Sequence, residues 1–511
     1  MRSLLFAIAA FAALSLLAAD KPNVLIILCD DLGYGDPRCY HAQSKIPTPH
    51  IDRLAAEGVR FTDAHTPSSV CTPTRYSLLT GRYCWRTGLK RGVLDGFDAP
   101  LIEPGRATLA TLLKGRGYDT ACIGKWHLGL TWFDREGKPL PSRPQVEMKG
   151  HRGGGEVDFT RELRGGPVDQ GFDSWFGLSA SLDMSPYAFI QDRRLTATPT
   201  EKMAGVKELA MSVSEGVRAP GFRLEEVLPE FTRRAVALIE SRTQQKAPFF
   251  LYLPLTSPHL PVVPSAEWKG KTGAGDYADF VAETDGTVGA ILAALSRTGL
   301  DAETLLIFTS DNGGLWHQWE PKERDDLAGY QPTPRGQYNA ERGHPSNATL
   351  RGTKADIWEG GHRVPFIVRW PAKVKPAVSD ALVELNDTFA TLAEIIGASI
   401  PQDAAEDSFS FLPILTGAAA SGPRRTFSVH HSISGVFALR EGPWKFVPSR
   451  GSGGFSAPKT VQEKSGESAA QLFRMEPDFT ETRNVAADEP AVAARLAVRL
   501  RAIQESARTR P

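Results

Sequence analysis

Val24-Leu25-Ile26-Ile27-Leu28-Cys29-Asp30-Asp31 is a continuous apolar run that ends in two carboxylates. A run this short, rich in β-branched residues and without alternation, suits a strand buried on both faces of a parallel sheet. The pattern recurs. Residues 120–123 run into Gly124-Lys125-Trp126-His127, and residues 249–255 run toward Ser257-Pro258-His259. Residues 304–309 run into Asp311-Asn312-Gly313-Gly314, and 365–370 is another run of this kind. Between them, residues 48–57, 109–115, 228–241 and 276–296 carry helical spacing. The alternation predicts an α/β fold, with a large mixed, mostly parallel sheet sandwiched by helices. Sites in such sheets lie beyond the carboxyl ends of strands. Singly, Asp30-Asp31 and Asp311-Asn312-Gly313-Gly314 read as turns. Four strands delivering carboxylates, an amide, a lysine and histidines to one edge predict a metal site beside cationic and imidazole groups.

Outward from this core, residues 1–19 read as a signal peptide. Met1-Arg2-Ser3 is basic, residues 4–17 are apolar, and Ala18-Ala19 offers a cleavage point before Asp20. The expected destination is secreted or periplasmic, with no stable membrane insertion after cleavage. Near residue 400 the pattern changes. Residues 429–439 and 444–447 read as a hairpin through Glu441-Gly442-Pro443, 451–466 as a loop, and 490–506 as an amphipathic helix. This predicts a main domain over 20–400 and a C-terminal α+β subdomain over 401–511, with a small antiparallel sheet and a helix. Two irregular regions interrupt the main domain. Residues 131–170 are rich in Gly, Pro and charge; residues 315–346 hold Trp316, His317, Trp319, Tyr330, Tyr338 and His344, predicting substrate contact by aromatics.

Composition excludes several classes. Lys plus Arg and Asp plus Glu each total 59 in 511 residues, which argues against a general nucleic-acid binder. Five cysteines are too few for a disulfide scaffold; Cys39 and Cys84 could pair in an oxidising compartment. Asn347-Ala348-Thr349 and Asn386-Asp387-Thr388 fit a glycosylation pattern.

Cys71-Thr72-Pro73-Thr74-Arg75 precedes Leu79-Thr80-Gly81. Pro73 suits a first helical turn and Gly81 a helix end. Cys71 and Arg75, four apart, share one helix face, where positive potential favours an anionic ligand. This run resembles the signature of the type I, formylglycine-dependent sulfatases, arylsulfatase-like members of the alkaline phosphatase superfamily. Asp30-Asp31, Gly124-Lys125-Trp126-His127-Leu128-Gly129, Asp311-Asn312-Gly313 and Lys354 follow the family's order.

The resemblance implies an alkaline-phosphatase-like fold and a sulfuric ester hydrolase acting on aryl or carbohydrate sulfates. It implies that a maturation enzyme oxidises Cys71 to formylglycine, whose hydrated aldehyde supplies the nucleophile. Hard oxygen ligands suit Ca²⁺ or Mg²⁺; the resemblance implies one Ca²⁺ held by Asp30, Asp31, Asp311, Asn312 and the modified Cys71. Arg75, Lys125 and Lys354 then tip the pocket positive for sulfate. By resemblance, His127 helps expel sulfate, and His259 or Lys354 protonates the leaving oxygen of a small-molecule or glycan ester. Two alternatives stay open: a phosphonate or phosphate ester hydrolase using the same modified cysteine, and a non-catalytic glycan-binding relative with Cys71 unmodified.

Overall fold

A computed structural model describes residues 21–141, 153–318, 330–331, 333–417, 424–462, 468–476 and 478–510. The signal-peptide reading, Trp319, and parts of the 131–170 and 451–466 loops lie outside the described residues. The central sheet is built from β1 (Asn23–Asp30), β2 (Val59–Phe61), β3 (Asp119–Lys125), β4 (Ser174–Leu178), β5 (Ile190–Gln191), β6 (Arg194–Leu195), β7 (Phe249–Pro258), β8 (Thr304–Ser310), β9 (Phe366–Arg369) and β10 (Ala377–Ser379). Their order is β10-β2-β9-β8-β1-β7-β3-β4-β5-β6. The centre, β8-β1-β7-β3-β4, is parallel throughout.

Two corrections follow. The 365–370 run was expected to lie parallel, but β9 is antiparallel to both β8 and β2. The centre also contains β4, Ser174-Trp175-Phe176-Gly177-Leu178, which the run pattern missed. Its Gly177 passes so close to β3 that a Cβ would lie 1.8 Å from the Gly124 carbonyl oxygen.

β1 explains why the runs are uniformly apolar. Leu25, Ile27 and Cys29 face one core, under α1 (Pro49–Glu57), α4 (Val227–Ser241) and α5 (Asp276–Thr298). Val24, Ile26 and Leu28 face the other, with α2 (Cys71–Thr80), α3 (Leu109–Lys114) and α6 (Asp387–Ile395). Successive side chains enter opposite cores, so neither face tolerates a polar residue.

The C-terminal hairpin is richer than expected. The 429–439 run splits into β11 (Phe427–His431) and β12 (Phe437–Glu441), joined to β13 (Trp444–Val447) and β14 (Gln471–Arg474) in one antiparallel sheet. Helix α7 (Pro490–Glu505) covers it through Leu496, Leu500 and Ile503. Cys39 and Cys84 are both free thiols. Asn347 and Asn386 are fully buried, so the folded chain offers neither to a glycosylating enzyme.

A buried histidine network ties the C-terminal sheet to the central one. His65, His362 and His430 are fully buried. Lys445 on β13 is paired with Glu359 and Glu481 and lies 2.9 Å from His362 Nε2. An ammonium only donates, so His362 carries its proton on Nδ1 and donates to His65 Nδ1 at 3.0 Å. His65 then donates through Nε2 to Asp63 at 2.9 Å. His430 stacks on His362, ring centroids 3.8 Å apart, and donates through Nδ1 to the Thr66 carbonyl at 2.9 Å. Every ring has a neutral tautomer that the network uses. Burial holds all three imidazoles below their usual pKa.

Two predictions follow from this packing. Ile27→Ala should lower unfolding free energy by about 2–5 kcal/mol in denaturant titration, whereas Val498→Ala, 65% exposed, should change it by under about 0.5 kcal/mol. The depressed histidines bind protons in the unfolded chain near pH 6.5 but not in the native one, so stability is lost as pH falls below about 6.5. Their joint effect has an upper limit of about 4 kcal/mol per pH unit. Denaturant midpoints that are flat between pH 7 and 5 would contradict this.

Candidate active site

The parallel strands end on one edge of the sheet, and their last residues converge there. Asp30 ends β1 and Asp31 follows it, Lys125 ends β3, His259 follows β7, and Asp311 and Asn312 follow β8. All are buried, His259 the most exposed at 7%. Cys71 is the first residue of α2, which Gly81 closes with φ 68° and an N–H to the Ser77 carbonyl. Every residue of α2 is buried, so the helix is locked against the sheet. Gly313 is required by close approach: a Cβ would lie 1.8 Å from the Gly360 carbonyl oxygen.

Two ligand sets fall within 4.8 Å: Asp30, Cys71 and Asp311, and Asp30, Asp31 and His259. Asn312 joins them by donating through Nδ2 to Asp31 Oδ1 at 2.8 Å. Asp30 Oδ1 and Asn312 Oδ1 are buried without a hydrogen-bond partner. Buried oxygens left unsatisfied are costly, so their convergence needs an electrophile. Three carboxylates and an amide oxygen form a hard donor set that fits a Ca²⁺ or Mg²⁺ ion.

The cations are arranged around this set. Arg75 reaches Asp311 with Nε at 2.9 Å and Nη2 at 2.7 Å, and approaches Asp30 at 3.6 Å. It was expected among the groups tipping the pocket toward sulfate. Its side chain is fully buried, and its described polar contacts are to Asp311, Asp30 and the Lys125 carbonyl. Lys125 holds Asp30 at 2.6 Å and also meets Ser181 Oγ. Lys354 holds Asp31 at 2.8 Å. Burial pushes Asp30 up, but Lys125, His259 and Arg75 hold it well below the usual carboxylate range. Burial, reinforced by Asp30, pushes Asp311 up to about 6. The Cys71 thiol is raised by burial, so it is no ready thiolate.

The histidines differ in wiring. His127 Nε2 lies 2.7 Å from the Leu94 carbonyl, so that nitrogen carries the proton. Nδ1 is then an unprotonated acceptor, buried and without a partner. Burial, with Lys125 and Arg75, keeps the ring neutral. Thr72, beside Cys71, donates to the His127 carbonyl at 3.1 Å. His127 and Asp31 both have positive φ, 57° and 65°. Left-handed backbone at non-glycine residues costs about 1–2 kcal/mol each and concentrates at functional sites. His259 gives Nδ1–H to the Leu260 carbonyl at 2.6 Å, leaving Nε2 facing Asp31 at 3.7 Å.

Sequence reasoning missed Ser181, because it missed β4, whose parallel end delivers it. Among the described residues of 315–346, several aromatics pack against the fold. Trp316 is buried and stacks on Tyr277, Tyr338 packs edge-on to Trp316, and His344 bonds Asp36 at 2.7 Å.

Comparison with known proteins places the chain in a family. The sulfatase family model matches residues 22–398. An N-acetylgalactosamine-6-O-sulfatase of Bacteroides thetaiotaomicron is 33% identical, covering 95% of this chain and 94% of the relative. Human arylsulfatase A is 33% identical over 87% of this chain and 77% of its own length. A solved 6S-sulfatase from glycosaminoglycan metabolism in Bacteroides thetaiotaomicron superposes with a TM-score of 0.78 at 31% identity, over 95% of this chain and all of that one. The family generally uses formylglycine and a divalent metal. On these matches the chain belongs to the sulfatase family and hydrolyses sulfate esters.

Proposed function

We propose that this sulfatase removes sulfate from a sulfated amino-sugar glycan, of the N-acetylgalactosamine 6-sulfate type, through formylglycine made from Cys71. The observation that carries the reading is the convergence of Asp30, Asp31, Asp311 and Asn312 on Cys71, with Lys125, Lys354 and two differently wired histidines beside them. The substrate class is supported by the length and identity of the match to the N-acetylgalactosamine-6-O-sulfatase.

Asp30, Asp31, Asp311 and Asn312 would hold one Ca²⁺, which supplies Lewis acidity toward sulfate oxygens. Formylglycine at position 71 supplies a hydroxyl nucleophile from its hydrated aldehyde. The chain's own residues do the rest. Arg75 fixes Asp311 and Asp30 in place, and Lys125 holds Asp30. Lys354, on the opposite side at Asp31, neutralises the nonbridging oxygens as charge builds on the ester. His259, as an imidazolium that keeps Nδ1–H on the Leu260 carbonyl, gives its Nε2 proton to the departing alcohol oxygen. His127 Nδ1, already unprotonated, takes a proton from a hydroxyl at position 71 while sulfate departs. Overall, one water is consumed and an alcohol, sulfate and a proton are produced. Among the described residues no helix is long and apolar enough to cross a membrane. Export through residues 1–19 to the periplasm or medium, a separate maturation enzyme, and the 20–400 and 401–511 division remain part of the proposal.

Mass spectrometry of the Cys71 peptide from the native host should show loss of sulfur and an aldehyde; an intact thiol would sink the nucleophile assignment. Cys71→Ala should abolish turnover of 4-nitrophenyl sulfate, and full activity there would sink it equally. Aryl phosphonate turnover above aryl sulfate turnover would favour the phosphonate hydrolase reading instead. Arg75→Ala strips buried Asp311 of its ion pair, so it should cost about 3–5 kcal/mol of stability in denaturant titration and weaken Ca²⁺ binding by calorimetry.

A further inference from the structure

Two charged side chains stand at the edge of the site with no ion-pair partner among the described residues. Asp183 lies two residues past Ser181, the residue that meets Lys125. Its backbone is fixed: the Asp183 carbonyl accepts from Ser214 N at 2.8 Å and from the Tyr187 hydroxyl at 3.0 Å. Its Oδ1 is buried and has no hydrogen-bond partner. A carboxylate oxygen in that state calls for a donor from outside the fold.

Arg335 is on the helix Pro334–Glu341. This helix is anchored at its first turn. Thr333 caps it by accepting Gly336 N at 3.0 Å, and a Cβ on Gly336 would lie 2.2 Å from the His317 carbonyl oxygen. His317 in turn accepts Asn347 N, and Asn347 clamps Gly314, whose carbonyl accepts Lys354 N at 3.2 Å. Arg335 is therefore tied to the backbone that places Lys354. Its Nε donates to the Leu209 carbonyl at 3.0 Å. The next residue, Ala210, accepts Val262 N at 2.9 Å, just beyond His259. The half-buried guanidinium has its two Nη groups without a described partner, and the charges of Asp31 and Asp183 act on it.

Resting on the substrate reading above, we infer that Asp183 and Arg335 are the specificity-determining pair for the leaving group: Asp183 accepts a hydroxyl or amide N–H of the sulfated sugar, and Arg335 binds an acidic substituent on the neighbouring sugar. A carboxylate two residues past Ser181, which meets Lys125, would repel an anionic ring edge, so it selects a donor-bearing face. A guanidinium with free Nη groups fits a carboxylate or second sulfate in two-point geometry. The aromatics behind the helix act as its support.

The test uses mature enzyme with Cys71 conversion confirmed by mass spectrometry, on three substrates: N-acetylgalactosamine 6-sulfate, the same sugar linked to a uronic acid, and 4-nitrophenyl sulfate. Arg335→Ala should lower the ratio of kcat/KM for the uronate disaccharide over that for the monosaccharide by at least about tenfold, chiefly through KM, with Arg335→Lys recovering part of it. Asp183→Asn should lower kcat/KM on both sugars relative to the aryl ester by at least about tenfold. Ratios within about twofold of wild type in both variants overturn the pair while leaving the substrate reading intact. A wild-type enzyme that cleaves the aryl ester but neither sugar overturns the substrate reading, and this inference with it.

Discussion

Three carboxylates meet in the protein interior, and the fold depends on their being matched by three cations. Asp30, Asp31 and Asp311 are essentially inaccessible to solvent. Gathering such charges without compensation would push the groups to neutrality or unfold the region. Arg75, Lys125 and Lys354 supply the compensation, each at hydrogen-bond distance. The side chains alone are thus balanced. A bound dication would leave the site positive by about two charges, which would suit an anionic ester.

This balance constrains the backbone. The acids come from β1 and the end of β8, and the lysines from β3 and the segment after Leu350. Arg75 comes from α2, one turn past Cys71. No two of these are close in sequence except neighbours on one strand end. Only a sheet in which β8, β1, β7 and β3 run parallel brings their ends to one edge. The arginine is buried because it braces ligands, and its rigid fork spans Asp311 and Asp30 as a lysine could not.

Rigidity extends outward from the site. The chain from Asp63 to Cys71 passes through the histidine network, which reaches Lys445 on the C-terminal sheet. Ser69 N donates to the His431 carbonyl at 3.0 Å, fastening the residues just before Cys71 to the same sheet. The C-terminal sheet therefore supports the loop that presents the nucleophile position, without contributing one of the ligands discussed above.

Much of this was legible in the chain. Continuous apolar runs ending in polar residues marked β1, β3, β7 and β8, since burial on both faces leaves no other composition. The Cys71-to-Gly81 motif marked α2 by its proline and its left-handed glycine, and motif order marked the ligands. Less visible were β4, interrupted by Gly177, and β2, only three residues long. The direction of β9 was equally hidden, because parallel and antiparallel strands have the same local composition. The burial of Trp316 and of asparagines 347 and 386 was hidden, because residue type does not say which way a side chain points. The sequence by itself determined which chemistry was present: the acids, the amide, the cations and the oxidisable cysteine. Tertiary structure decided the division of labour. It set the Arg75 guanidinium against Asp311 and left His127 Nδ1 and Asp183 Oδ1 buried without a partner, because burial and hydrogen-bond partners arise only when distant segments meet.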